Sequence, residues 1–440
     1  MGHIPFNKTT SLSNLDSNSF LNAISLGNLF YTRPQVDALV GGGGGGGTTT
    51  LDYKLVSNVA DLRTAITNAT DYTTIALMSG VYDLTGSPLE IQNKTGLTIR
   101  AGGNATITSS TLTENVVIRG GVVDLNIIGI RFTSTLTGAT GYGMILVNEQ
   151  GNITNFTIDS CYFSNAASGR NAITMSANSG NTTATYKNIT IQNCRFINIG
   201  RMGIEILNHA WNNAGAPQIW TSGVFVKNNI FENLGVNDTS HGMAVSVSGL
   251  NEQVHITGNH TYEGKFCCYE LVGSRDSICS FNTAKNVTNT AAGISISDNG
   301  KGATTRISVV GNVINTIGRG IQAYDSTWLQ INNNEFISTK INDIRSNTSQ
   351  FCNNQMKVTA DTGCLYMEHA LYCVVTNNHM STVGSTVQTY GVINLFVGSN
   401  PCRKNVVDKN FLFRPTNALQ TVIEGSTTDN YIGTNYEEKL

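Results

Sequence analysis

The sequence predicts an all-β chain, a right-handed single-stranded parallel β-helix preceded by a short N-terminal helical segment. Two observations carry that expectation. In the first, ten segments align so that one column reads Cys161, Cys194, Asn229, Asn259, Asn282, Asn312, Asn334, Asn354, Asn378 and Asn410, each three residues after an apolar residue or, once, after Cys279. The segments, among them Ile191 to Phe196, Val226 to Phe231, Ile331 to Phe336 and Val375 to Met380, recur every 20 to 35 residues, a period that means stacked structural repeats. In the second, a strand with in-out alternation follows each ladder residue after 8 to 13 residues, beginning at Gly203, Gly242, Gly293 and Gly320. Asparagine suits the column because it tolerates left-handed backbone at a tight bend and its amide both donates to and accepts from the next Asn. At about 4.8 Å per rung, the ten positions span roughly 43 Å. Weaker rungs around Gly102 and Ile130 extend the stack toward the N-terminus.

The elements follow in chain order. Residues 1–40 end in Tyr31 to Val40, where Thr32 caps and Pro34 starts a short helix whose one face carries Val36, Leu39 and Val40. So short a helix cannot bury that face alone, which implies a partner. Residues 41–50, seven glycines and then Thr48 to Thr50, make a linker with little to pack. Residues 51–90 are the cap and first rung, with a capped amphipathic helix across Val56 to Ile66 over the open end and Thr74 to Tyr82 as first strand and turn. Solenoids require such caps. Residues 91–425 form the β-helix and 426–440 an end segment.

Composition bounds the function. Only 13% of residues are charged and the formal net charge is -2, so there is no electrostatic case for nucleic acid or an anionic membrane. No apolar run is long enough to cross a bilayer, and the polar start from Met1 to Asn7 lacks the basic and apolar blocks of a secretory signal, which leads us to expect synthesis in a cytosol. The nine cysteines show no metal-type pairs, and reduced, buried thiols are expected, including a stacked pair at Cys161 and Cys194.

The cap and first rung resemble those of pectate-lyase-like β-helix proteins, among them phage tailspikes and polysaccharide lyases, and this resemblance covers most of residues 51–440. Tyr31 to Val40 resembles a short element recurrent in phage tail-fibre and baseplate proteins, found there at trimeric junctions. Together the resemblances imply a homotrimeric tail fibre or tailspike, assembled in the host cytoplasm, held to other tail or baseplate proteins through residues 1–40, with a bacterial surface polysaccharide as partner. A polysaccharide depolymerase of the same fold, hydrolase or lyase, is the alternative, and a non-binding decoration protein of the virion is the second.

Candidate chemistry lies on the outward face of the Gly-initiated strands. Their alignment puts Thr174, Glu205, Ala244, Glu270, Ser295 and Gln322 in one column, with Glu205 and Glu270 two rungs and roughly 9 to 10 Å apart. Such a pair suits inverting glycoside hydrolysis, while two solvated glutamates are the plainer account of the same pattern. The longest insertions carry His209, Trp211 and Trp220, and then Asp238 and His241, and are expected to form one wall in which indole faces take sugar rings. Glu270 to Arg275 is loosely similar to the part of chondroitinase-like lyases that bears an acidic metal ligand and a lysine base. Arg275 stands in the lysine's place, and a permanent cation is a poor proton acceptor. Asp298 and Asp325 sit at equivalent turns, too few for a calcium site, and neither a metal nor a cofactor is expected.

Overall fold

The computed structural model describes residues 52–112, 114–136, 142–148, 151–166, 170–177, 183–212, 219–238, 240–287, 292–298, 304–359, 363–383, 391–395, 402–414, 422–424 and 429–439. The N-terminal helical segment and the glycine linker lie outside them.

Apolar alternation with period two and a bend after each short strand leave the chain one economical solution: each turn lays down three strands, and each strand pairs in parallel with its counterpart on the next turn. The result is the expected parallel β-helix. Sheet 1 runs from Tyr53–Val56 and Thr74–Leu77 through Ile153–Asp159 to Tyr431–Ile432. Sheet 2 runs from Gly80–Asp83 to Tyr436–Lys439, and sheet 3 from Leu89–Gln92 to Val422–Glu424. Val313–Thr327 passes from sheet 2 to sheet 3 as one strand. The region expected as an end segment therefore carries two further strands of the stack.

Inward residues recur at the same register and build columns. Ile189 and Ile191 pair with Val224 and Val226, all fully buried, and Phe132, Phe163, Phe196 and Phe231 stack ring on ring with centroids 5.1, 4.9 and 4.7 Å apart. Such offset contacts add to the area each ring buries.

The asparagine ladder exists and is longer than the sequence indicates. Asn282 Nδ2 donates to Asn312 Oδ1 at 3.0 Å and to the carbonyl of Ile256 at 2.8 Å, and its backbone N–H donates to the same Oδ1 at 3.0 Å. The pattern repeats from Asn229 to Asn410 and closes on Asn435, at 2.9 Å from Asn410 Nδ2. Ahead of it, the Cys161 N–H points to Cys194 Sγ at 3.4 Å, and both thiols are free and buried. The left-handed residue is not the ladder Asn but the one before it: Asn193, Asn228, Asn333, Asn353 and Asn377 have φ of 55–57°. The bend thus needs two specialists, one for backbone shape and one for hydrogen bonding. A second left-handed column, at the corner where sheet 3 gives way to sheet 1, runs from Tyr72 and Gly96 through Arg306, Trp328, Thr348 and Tyr372 to Lys404.

At the N-terminal end, the first strand is Tyr53–Val56, paired with Thr74–Leu77, so Val56 ends a strand and the helix is shorter than expected. That helix, α1, spans Val59–Thr67 and is capped by Asn58, whose Oδ1 accepts the Asp61 N–H at 2.9 Å, a contribution of about 1 kcal/mol. Leu62, Ala65 and Ile66 are its buried face over the open rung.

Replacing Asn312 with Leu removes the acceptor of two Asn282 donors and takes from Asn334 Oδ1 its side-chain donor, leaving it only the backbone N–H of residue 312, at about 1–3 kcal/mol for each buried group left unpaired. We expect a lower melting temperature by thermal denaturation; a midpoint within a degree of wild type would mean that the ladder bonds are dispensable.

Candidate functional site

The register of sheet 3 decides which side chains meet. Thr174, Glu205, Ser246, Glu270, Ser295, Gln322, Asp343, Tyr366 and Asn394 form one outward column, with the short members buried at its floor between longer neighbours. Glu205 and Glu270 are indeed two rungs apart, but the residue between them is Ser246, not Ala244. The strand of that rung is Val245–Gly249, and Gly242, which mimics a strand start, belongs to a loop where it packs against Gly235 so closely that a Cβ on Gly235 would lie 2.6 Å from the Gly242 Cα.

The two glutamates have different surroundings. Glu205 accepts from Asn171 Nδ2 at 2.8 Å and from Arg201 Nη1 at 3.0 Å. Glu270 accepts from Ser246 Oγ at 2.6 Å, and its carboxyl pKa is raised, first by desolvation and further by Glu205, against the Ser246 bond and electrostatic interaction with His241 and Arg201. The polar cluster is completed by the 235–241 loop. The N–H groups of Gly235 and Asp238 bond the carbonyls of Arg201 and Gly200, both at 3.1 Å, which brings Asp238 to 3.8 Å from Arg201 Nε and within 2.9 Å of His241 Nδ1. Behind the loop, Met202, Met243 and Cys267 form a small dry cluster with Phe266 against it.

The two insertions are opposite walls, not one. His209 opens a short 3₁₀ turn, His209–Asn212, at the exit of the strand Ile204–Asn208, whereas Asp238 and His241 precede the entry of Val245–Gly249. A loop between sheets 3 and 1 and a loop between sheets 2 and 3 necessarily flank sheet 3 on different edges. Asn208 Nδ2 fastens the exit wall to the carbonyls of Ile219 and Leu250, at 2.9 and 2.7 Å. The backbone of Trp211 lies in that turn. Trp220 is turned toward sheet 1, with the guanidinium of Arg275 3.7 Å above its ring, so one indole face is already covered. Arg275 in turn holds Glu252 at 2.6 Å and does not face the Glu270 groove.

Further along the column lies a second polar cluster that the sequence reading missed. Asp343, nearly buried, accepts from the Tyr324 hydroxyl at 3.0 Å and from Arg345 Nε at 3.3 Å, with Arg319 Nη2 at 3.9 Å, and Arg345 also pairs with Glu368 at 3.1 Å. Its strand, Asn342–Asn347, lacks the glycine that precedes Ile204 and Ile321 on earlier strands of sheet 3. Asp298 follows its strand of sheet 3 as expected and accepts the Thr304 N–H, whereas Asp325 lies within Val313–Thr327, at the register irregularity between Tyr324 and Ser326, with φ of 51°. Among the described residues, no group of three or more His, Cys, Asp or Glu side chains converges as a metal site.

The raised pKa of Glu270 has a thermodynamic sign. In the unfolded chain its carboxyl ionises near 4.5, whereas in the folded chain the proton is held to higher pH, so Glu270 costs stability once pH exceeds about 4.5 and costs nothing below it. Glu270→Gln keeps an acceptor for Ser246 and should raise the melting temperature at pH 7, with the gain shrinking as the pH falls to 4 in parallel calorimetric scans. A gain independent of pH would show that the carboxyl is not perturbed.

Solved structures supply the comparison. The tailspike protein 3 of bacteriophage CBA120 matches with a TM-score of 0.58 and 14% identity, over 89% of this chain and 60% of that chain. A PL6 alginate lyase in complex with a trisaccharide matches with a TM-score of 0.50 and 12% identity, over 89% of both chains. The A-module of the mannuronan C-5 epimerase AlgE4 of Azotobacter vinelandii matches with a TM-score of 0.41 and 12% identity, over 87% of this chain and 97% of that one. No protein-family profile and no curated protein sequence matches the chain. These likenesses are of fold, and this chain spans about 60% of the tailspike's length.

Proposed function

We propose that this chain is a phage tail fibre or tailspike protein that attaches to a bacterial surface polysaccharide along the sheet 3 groove, as a homotrimer joined to the virion through residues 1–40. The observation that carries the reading is the unbroken outward column from Thr174 to Asn394, a strip of carboxyl, hydroxyl and amide groups about 38 Å long at 4.8 Å per rung. Its walls rise on both sides. A linear polymer with regularly spaced hydroxyls is the ligand shape such a strip fits, and fixed donors and acceptors at its floor are what sugar hydroxyls require. The similar tailspike and lyase folds support the reading without deciding the activity.

A second reading, hydrolysis in the same groove, is favoured by one specific contrast. Glu270 has its carboxyl pKa raised by desolvation and by the neighbouring Glu205, as suits a general acid, while Glu205 is held by the Arg201 guanidinium and the Asn171 amide, the geometry of a positioned base. Two rungs separate their backbones by about 9.6 Å, and carboxyls about 6.5–9.5 Å apart leave room for the attacking water of an inverting mechanism.

Incubation with a panel of bacterial capsular and O-antigen polysaccharides, read by both binding and size analysis, separates the readings. Binding without new reducing ends is expected for attachment, and shortening of the chains for hydrolysis. If cleavage occurs, Glu205→Gln and Glu270→Gln should abolish it while binding survives, because only the acid transfers a proton. Trp211→Ala should weaken binding by about 1–3 kcal/mol whether or not a bond is cut. If wild type and all three variants bind and process glycan alike, the groove is not the site.

Light scattering of the full chain should give about three times its 47.2 kDa mass. A strict monomer at micromolar concentration would remove the support for virion attachment through residues 1–40.

A further inference from the structure

The corner column between sheets 3 and 1 places one left-handed residue on each rung, and several of its members suit that backbone. Gly96, Asp124, Asn155, Asn188 and Gly223 are the types that accept positive φ at little cost. Large aromatic residues do not, and where they occupy left-handed positions in this protein the ring has a structural use. The ring of Tyr72 lies over Gly96, where a Cβ would come within 2.4 Å of it. At the neighbouring corner, Phe281 covers Gly311 in the same way, at 2.7 Å. Tyr372 is capped by Lys404, whose Nζ sits 5.1 Å from the ring centroid and 3.1 Å from the hydroxyl.

Trp328 breaks the pattern. Its φ is 57° and its side chain is 59% exposed. The next residue in the column is Thr348 rather than a glycine, so the ring-over-glycine contact of Tyr72 and Phe281 is not repeated here. On the preceding rung, Arg306 turns away to Asp276, with Nη2 2.8 Å from Oδ2. The molecule thus bears a bulky left-handed residue without the glycine contact or covering cation that accompanies the other rings among the described residues. Unrewarded strain of this kind marks function.

We propose that Trp328 is a second glycan platform, on which the apolar face of one pyranose ring of the surface polysaccharide stacks outside the sheet 3 groove. A flat, solvent-facing indole is the usual complement of a sugar's CH face. A protein partner fits less well: the neighbours of Trp328 along the ridge are Arg306 and Thr348, and two exposed rings two rungs apart, Trp328 and Tyr372, are far below the roughly 800 Å² per partner of a stable interface. Trp328 shares its rung with Gln322, two rungs from Glu270, so one long chain can touch both places by crossing the corner. This inference rests on the polysaccharide reading of the groove and adds a subsite to it.

Trp328→Asn tests it, because asparagine removes the ring while easing the backbone. The probe is the capsular or O-antigen polysaccharide that wild type binds most tightly in the panel, used both as intact polymer and as short oligosaccharides of one to three repeats. The variant should melt at or above the wild-type temperature, bind intact polymer about tenfold more weakly, and bind the short oligosaccharides as wild type does. Tyr372→Asn serves as a control and should leave polymer binding unchanged. Polymer binding by Trp328→Asn equal to wild type overturns the platform while the groove reading stands. A clear fall in melting temperature overturns it also, since the ring would then be structural. If wild type binds no polysaccharide in the panel, the groove reading fails and this inference with it.

Discussion

Each rung of this protein depends on a hydrogen bond it cannot make alone. The bend between sheets 1 and 2 buries a backbone N–H and an Asn amide, and the acceptor for both is the Oδ1 of the next Asn, while the second amide hydrogen is taken by a carbonyl of the rung before. A rung that slipped by one residue would leave these groups dry and unpaired, at about 1–3 kcal/mol for each. The ladder therefore fixes register, and register is what every other feature inherits: the phenylalanine stack, the aliphatic columns and the outward column of sheet 3.

The candidate site follows from the same inheritance. Glu205, Ser246 and Glu270 lie on three successive rungs and meet only because parallel pairing brings equivalent positions of successive turns together. What distinguishes one stretch of the column from another is supplied from the corners. Arg201 and the 235–241 loop gather around Glu205 and Glu270, and Arg319 reaches toward Asp343. The scaffold is regular, and specificity resides in the turns between its strands.

Much of this was legible in the residues themselves. The Asn column and the apolar alternation showed the rungs because both are strictly local and repeat. Where reading failed, a local cue had a competing use. Gly242 looks like the glycine that opens a sheet 3 strand, yet it serves to pack against Gly235, so the column residue was placed at Ala244 instead of Ser246. Asn-Asn pairs concealed which partner bends the backbone, since either residue tolerates the conformation. Tyr53–Val56 merged with the helix that follows because a single edge strand lacks the repeat that betrays the others. The Asp343 cluster could not be foreseen, for its arginines come from different rungs and converge only through side-chain reach.

The ladder also has a direction. Backbone N–H groups around the bend point both ways along the stack, Asn228 to the following rung and Ile230 to the preceding one, so their dipoles largely cancel. The side-chain amides do not alternate. From Asn229 to Asn410 every Nδ2 donates forward and every Oδ1 accepts from behind, which lines up the amide dipoles in a dry core. The column therefore presents its negative end to Cys194, whose N–H bonds Asn229 Oδ1, and its positive end to the final rung. A thiolate at Cys194 would have to form beside aligned oxygen ends as well as out of water. Burial first, and with it an electrical polarity that the backbone alone does not possess, hold the Cys194 thiol protonated at the head of the polar spine.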